Sequence, residues 1–325
     1  MGPSWGWVVC VALPLLKDVC SDLRIPFMNR ILARSQRHDF VILLFALLRC
    51  WTVSILIGTL QAQTNLNQIP TILEIPQVRS DESGPGKRVR ATTSGWEETA
   101  VYHALFLPED WDPNTQWPVI VEYPGNGGYS NALGDVSDGT VEGCMMGFGL
   151  SGGSGFIWVS MPFVDATGRN ATKWWGDVSS TKQYCMETVQ EVCTRYQGDP
   201  KRVLLAGFSR GAIACNYIGL HDDNIASLWC GMICHSHYEG EFRHPAPDES
   251  DWPSRLLRLG KRPQWISHEI SVRPIQSIIE ATGFEGNLSF HSLPFKNHSA
   301  RWTLCDLPLR DKARQWLLQF ANGRR

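Results

Sequence analysis

The 325-residue chain has almost no charge imbalance: 30 lysines and arginines stand against 32 aspartates and glutamates, a formal net charge of −2, and neither sign gathers into blocks. Without a basic face there is no electrostatic footprint for nucleic acid, nor for a polybasic grip on a membrane surface. Internal repeats and low-complexity tracts are missing as well, which sets aside repeat architectures. Metal spacing is also lacking. Of ten cysteines, Cys10, Cys20 and Cys50 precede residue 62, and the separations of Cys185 from Cys193 and Cys230 from Cys234 fit no zinc pattern. The seven that remain allow one or two bridges but not a cysteine-stapled fold. No metal and no cofactor is expected. What is left is an ordinary globular composition, 43% hydrophobic, with enough apolar residues for a sizeable core.

The first 62 residues differ from the rest. Arg30, Arg34 and Arg37 precede the charge-poor run Asp39 to Leu48, apolar character resumes from Trp51 to Leu60, and Thr59-Leu60-Gln61-Ala62 closes the segment. This reads as a signal peptide, with a biological start at Met28, cleavage after Ala62, and a secreted or periplasmic product. The competing reading is a retained anchor, since Phe40 to Leu60 is nearly long enough to span a bilayer. Arg49 in its middle opposes that, because a central arginine costs roughly 2.5 kcal/mol or more on insertion scales.

Residues 63–325 read as a single domain with a cap or loop insertion at 240–262. Strands are expected at Thr99 to Leu107, Pro118 to Tyr123 and Phe156 to Phe163, from alternation in the first and continuous apolar runs in the others. From there strands and helices alternate: a helix over Thr181 to Tyr196, a strand at Arg202 to Ala206, a helix from Arg210 to Leu220, and a strand at Leu228 to Cys234. A strand at Pro263 to Ser267, a helix near Pro274 to Thr282, a strand at Leu288 to Phe295 and a helix over Pro308 to Phe320 complete the chain. That order implies an α/β fold with a mainly parallel sheet and helices on both faces. The glycine cluster Gly147 to Gly155 reads as a turn.

Gly207-Phe208-Ser209-Arg210-Gly211 fits the pattern G-x-S-x-G, and it lies where an apolar strand meets a helix. In that setting the serine is forced into a sharp turn that lifts its hydroxyl above the sheet, and side chains at the flanking glycines would collide with strand or helix. Ser209 is therefore the candidate nucleophile. A hydroxyl needs a base, and the base needs an orienting carboxylate. His298 follows the last strand and reaches the same sheet edge. Glu269, at the end of the preceding strand, is the first choice for the acid, and Glu239 is the second.

Two N–H groups are needed for the oxyanion. One is expected from Arg210 and the other from the loop Gly125-Asn126-Gly127. That loop lacks the lysine-serine ending of a phosphate-binding loop. Trp174 and Trp175 are either a substrate wall or a structural corner, and His235 and His237 line the pocket in preference to forming a metal pair. His268 is read as structural, and His291, inside a strand, as a packed or surface residue. Sequons stand at Asn170, Asn287 and Asn297, and a glycan on Asn297 would crowd the proposed base.

The GFSRG stretch at 207–211, the PGNGG loop at 124–128 and the NHS turn at 297–299 resemble those of exported α/β-hydrolases of the serine-esterase kind. In layout, residues 97–322 are similar to the polyhydroxybutyrate depolymerase, feruloyl esterase and acetylxylan esterase group. The resemblance implies an eight-stranded sheet, a Ser-acid-His triad, no required metal, and a small-molecule or polymeric ester as substrate. The chain departs from the group in lacking a His-Gly start to the oxyanion loop and in offering Glu where Asp is commoner. A serine peptidase and a non-catalytic binding protein are the alternatives on the same fold.

Overall fold

Eight strands hydrogen-bond into one sheet in the computed structural model, which describes residues 65–241 and 251–321. The expectations for the leader, including the start at Met28 and cleavage after Ala62, lie outside the described residues, as does the 242–250 part of the expected cap. The sheet order is β1 (Arg88–Ala91), β2 (His103–Phe106), β6 (Ile157–Ser160), β3 (Trp117–Tyr123), β9 (Gly198–Phe208), β10 (Gly231–His235), β11 (Gln264–Glu269) and β12 (Leu288–Leu293). Every neighbouring pair is parallel except β1 with β2 and β2 with β6, so β2 alone runs against the rest. Two short antiparallel ribbons stand apart, β4 (Tyr129–Ser130) with β5 (Val136–Ser137) and β7 (Phe163–Val164) with β8 (Asn170–Ala171).

The central strands are buried on both faces, and their alternate side chains divide between two cores. Val119, Val121 and Tyr123 of β3, with Val203 and Leu205 of β9, enter one core, which α2 (Val178–Arg195), α3 (Arg210–Tyr217), α4 (Asp223–Ala226), α5 (Trp252–Leu257) and α6 (Arg273–Glu280) cover. Ile120, Leu204 and Ala206 enter the other, beneath α1 (Met146–Ser151) and α7 (Pro308–Ala321). Helix α2 forms where Asp177 accepts the Ser180 N–H at 2.7 Å, and it presents Tyr184, Cys185, Thr188, Val189 and Val192 inward at helical spacing.

Several boundaries differ from the expectations. The Phe156 to Phe163 run divides into β6 and β7 at Met161-Pro162. β1 is an additional strand. The glycine cluster beginning at Gly147 is not simply a turn, because Met146–Ser151 is helical. The cause lies far away in sequence: the buried carboxylate of Glu122 accepts the N–H groups of Met145, Met146 and Gly147 at 2.8–2.9 Å, together with the Trp158 indole N–H at 2.9 Å. That carboxylate sits on the positive end of the helix and completes its first turn. A Cβ on Gly147 would come within 2.2 Å of the Trp158 ring, so glycine there serves close packing rather than a bend. The described part of the expected cap is α5, whose Arg255 and Leu256 are buried. All seven cysteines of the described residues are unpaired.

Candidate active site

The parallel order brings the C-terminal ends of β9, β10, β11 and β12 to one edge, and the candidate site is assembled there. Ser209 follows β9 directly, with φ 55° and ψ −118°, and α3 begins at the next residue. Few non-glycine residues hold such a backbone. The surrounding packing fixes it: a Cβ on Gly207 would lie 2.1 Å from the Gly211 carbonyl, and one on Gly211 would lie 2.1 Å from the Tyr123 carbonyl oxygen of β3. The Ser209 N–H donates to the His235 carbonyl at 2.9 Å, which ties the turn to the adjacent strand.

His298 stands on the loop between β12 and α7. Its Nε2 is 2.9 Å from the Ser209 hydroxyl and its Nδ1 is 2.7 Å from Glu269 Oε1. Phe208, Tyr129 and His237 surround the ring, each with its centroid 4.8–4.9 Å away. Burial alone would raise the Glu269 carboxyl. The hydrogen bond from His298, helped by the charges of His235, His268 and His298, outweighs burial and holds it at about 2.

Two residues not picked out from sequence brace this arrangement. The Ser236 hydroxyl lies 2.7 and 2.6 Å from the two Glu269 oxygens and 2.7 Å from His298 Nδ1, on a backbone at φ 83°. Asp135 accepts the His298 N–H at 2.9 Å through one oxygen and the Asn297 side-chain N–H at 2.7 Å through the other. Asn297 in turn accepts the Leu66 N–H at 2.8 Å and donates to Asn65. Its side chain is thus enclosed, at 2% exposure, and the sequon is sterically closed to a glycan in the folded chain. A serine following a strand and an aspartate in a loop carry no sequence signal of these roles, since their partners lie up to 163 residues away.

A cavity of about 470 Å³ opens beside Ser209, lined among others by Asn126, Tyr129, Trp174, Arg210, His237 and Lys296. The remaining expected residues separate from it. The Gly127 N–H is taken by the Thr172 carbonyl at 2.7 Å and does not serve the serine pocket. Gly125 lines a neighbouring cavity of about 580 Å³, where a side chain at this position would strike Ser137 and Phe208. Trp175 is 3% exposed, packed between Phe163 and Tyr217, so it is core and not a substrate wall. His235 is fully buried; its ring nitrogens reach the Ser267 hydroxyl and the Ser299 carbonyl, and burial pushes its pKa down to about 4. Glu239 is held by the buried Arg255 at 2.5 Å, and the acid at His298 Nδ1 is Glu269. The buried Arg210 side chain reaches the Trp174 and Gly139 carbonyls. Its backbone N–H belongs to the open first turn of α3.

No family model matches the chain, and no curated protein matches its sequence significantly. Among solved structures, the acetyl ester-xyloside bifunctional hydrolase from Caldicellulosiruptor lactoaceticus is similar, at 14% identity and TM-score 0.50, covering 74% of this chain and 97% of that one. A Thermogutta terrifontis esterase 2 matches at 15% identity and TM-score 0.47 over 74% and 95% of the two chains. A thermostable esterase matches at 15% identity and TM-score 0.44, over 71% of this chain and 62% of that one, so the match spans about three fifths of that protein's length. The eight-stranded, mostly parallel sheet, flanked by helices on both faces, is the α/β-hydrolase fold.

Proposed function

We propose that the protein hydrolyses carboxylic esters through an acyl-enzyme on Ser209. The observation that carries this reading is the continuous chain from Ser209 through His298 to Glu269, 2.9 and 2.7 Å long, on a strained serine turn at the rim of a cavity. In the proposed reaction His298 Nε2 takes the proton as Ser209 Oγ attacks the ester carbonyl. Glu269 keeps the Nδ1 proton in place and stabilises the imidazolium. The oxyanion is received by the Arg210 N–H at the start of α3 and by the backbone of Asn126. Collapse expels the alcohol with the proton from His298, and water repeats the sequence to release the acid. Asn126 Oδ1 accepts the Trp174 N–H at 2.8 Å, which fixes the loop relative to the cavity wall. An exported location is part of the proposal and rests on the leader of residues 1–62; N-terminal sequencing of the mature chain tests it.

Ser209→Ala should lower kcat on a short p-nitrophenyl ester by roughly 10⁴-fold or more, with the unfolding midpoint unchanged. A fluorophosphonate should label Ser209 in the parent chain and nothing in the variant. Equal turnover by both proteins would sink the proposal, as would cleavage of a peptide panel in preference to every ester tried.

A further inference from the structure

Beside the serine cavity lies a second cluster that the ester chemistry does not use. Glu241, after β10, places its two carboxylate oxygens toward two imidazoles: Oε2 is 3.1 Å from His237 Nδ1 and Oε1 is 3.5 Å from His268 Nε2. One ligand atom from each residue lies within 4.8 Å of the others, and all three residues are half-buried. Tetrahedral zinc with bonds of about 2.0–2.1 Å sets its ligands roughly 3.3 Å apart. A small contraction of these side chains therefore supplies three corners.

The surroundings orient the donors as metal sites require. His268 Nδ1 is 2.7 Å from the Glu269 carbonyl, so one ring proton belongs there, while the Nε2–H faces Glu241, and an entering ion would take the place of that second proton. The Tyr238 N–H donates to Glu241 Oε2 at 3.2 Å and anchors the carboxylate. Two imidazoles and a carboxylate with a fourth position left to water suit zinc and related divalent transition metals better than calcium or magnesium, which prefer an all-oxygen shell.

We infer that His237, Glu241 and His268 form a binding site for one divalent transition-metal ion of the zinc class, joining the segment after β10 to the end of β11. Because His237 also lines the serine cavity and His268 adjoins Glu269, the ion would fix one cavity wall against the strand that carries the proposed acid. The inference stands whether or not Ser209 turns over an ester.

Chelator-treated full-length protein should be titrated with zinc chloride by calorimetry and with cobalt chloride by visible absorption. One equivalent per chain should saturate, and the cobalt complex should show ligand-field bands without the near-ultraviolet charge-transfer band of cysteine thiolate. His268→Ala should weaken binding at least about tenfold, the scale on which even outer-shell partners count. Glu241→Gln, nearly isosteric, should do the same and carries the test if the alanine variant misfolds. The inference is overturned by an absence of saturable binding, by a thiolate band, or by affinity unchanged in Glu241→Gln. The first and last of these outcomes would leave the three residues an ion-pair cluster only.

Discussion

The serine turn and the histidine loop meet across 2.9 Å, yet they are built by opposite means. Residues 207–211 enforce their own geometry: the collisions that exclude side chains at Gly207 and Gly211 involve the motif itself and the strand beside it. The histidine loop has little local support. His298 is held through Asp135, Glu269 and Ser236, and its neighbour Asn297 through Asn65, Leu66 and Asp135. The same site therefore combines a turn set by backbone sterics with a loop set by remote hydrogen bonds. The first should fail abruptly and the second by degrees.

The largest effect is expected at the turn. Gly211→Ala places a methyl group 2.1 Å from the backbone oxygen of Tyr123, at the C-terminal end of the central strand β3, where the paired strands leave little room to give way. Stability should fall by about 3 kcal/mol, the upper range for overpacking, and ester turnover should be lost with it. Urea unfolding followed by fluorescence checks this; a parent-like midpoint would mean that the turn yields, and the contrast with the loop would dissolve.

Asp135→Ala should come next. It leaves the His298 N–H without its acceptor and takes from the Asn297 amide one of its two, Asn65 being the other, a loss of about 1–3 kcal/mol for buried groups. Turnover should fall about tenfold as His298 drifts from Ser209, a misplacement that need not reach the bond-making atoms directly. Asp135→Asn keeps an accepting oxygen and should recover part of both losses. If Asp135→Ala and Asp135→Asn behave alike, the loop is held by something other than these bonds.

The smallest effect belongs to Ser236, whose hydroxyl bridges Glu269 and His298. Ser236→Ala and Ser236→Gly both remove the bridge, and each should lower kcat by about fivefold, on the order of 1 kcal/mol, with KM little changed. Only glycine relieves the left-handed backbone at φ 83°, so the glycine variant should be the more stable of the two. Loss of kcat in the alanine variant but not in the glycine variant would assign the effect to backbone strain instead of the hydroxyl.

The particular residues show why some of the site was legible and some was not. Ser209 could be found because strand, turn and helix are encoded within about fifteen consecutive residues. His298 and Glu269 followed from their place at the ends of later strands, since a parallel sheet delivers such ends to one edge. Trp175 and Trp174 are adjacent and chemically alike, and only burial distinguishes the core ring from the one on the cavity wall. Glu239 and Glu269 both lie at or just past strand ends; the difference between them is Arg255, which a linear reading had no reason to place against the first. Gly127 looked like a donor to an oxyanion until the Thr172 carbonyl was found to hold its N–H.

Local composition thus determined the apolar periodicities, the strand-to-helix turn and the need for glycine on both sides of Ser209, because each depends on sterics between near neighbours. The tertiary structure decided which acid meets His298, which loop N–H groups remain available, and which aromatic rings face the cavity. Those outcomes depend on pairings across as many as 232 residues, and hydrogen bonds of that range exist only once the sheet has set the distances.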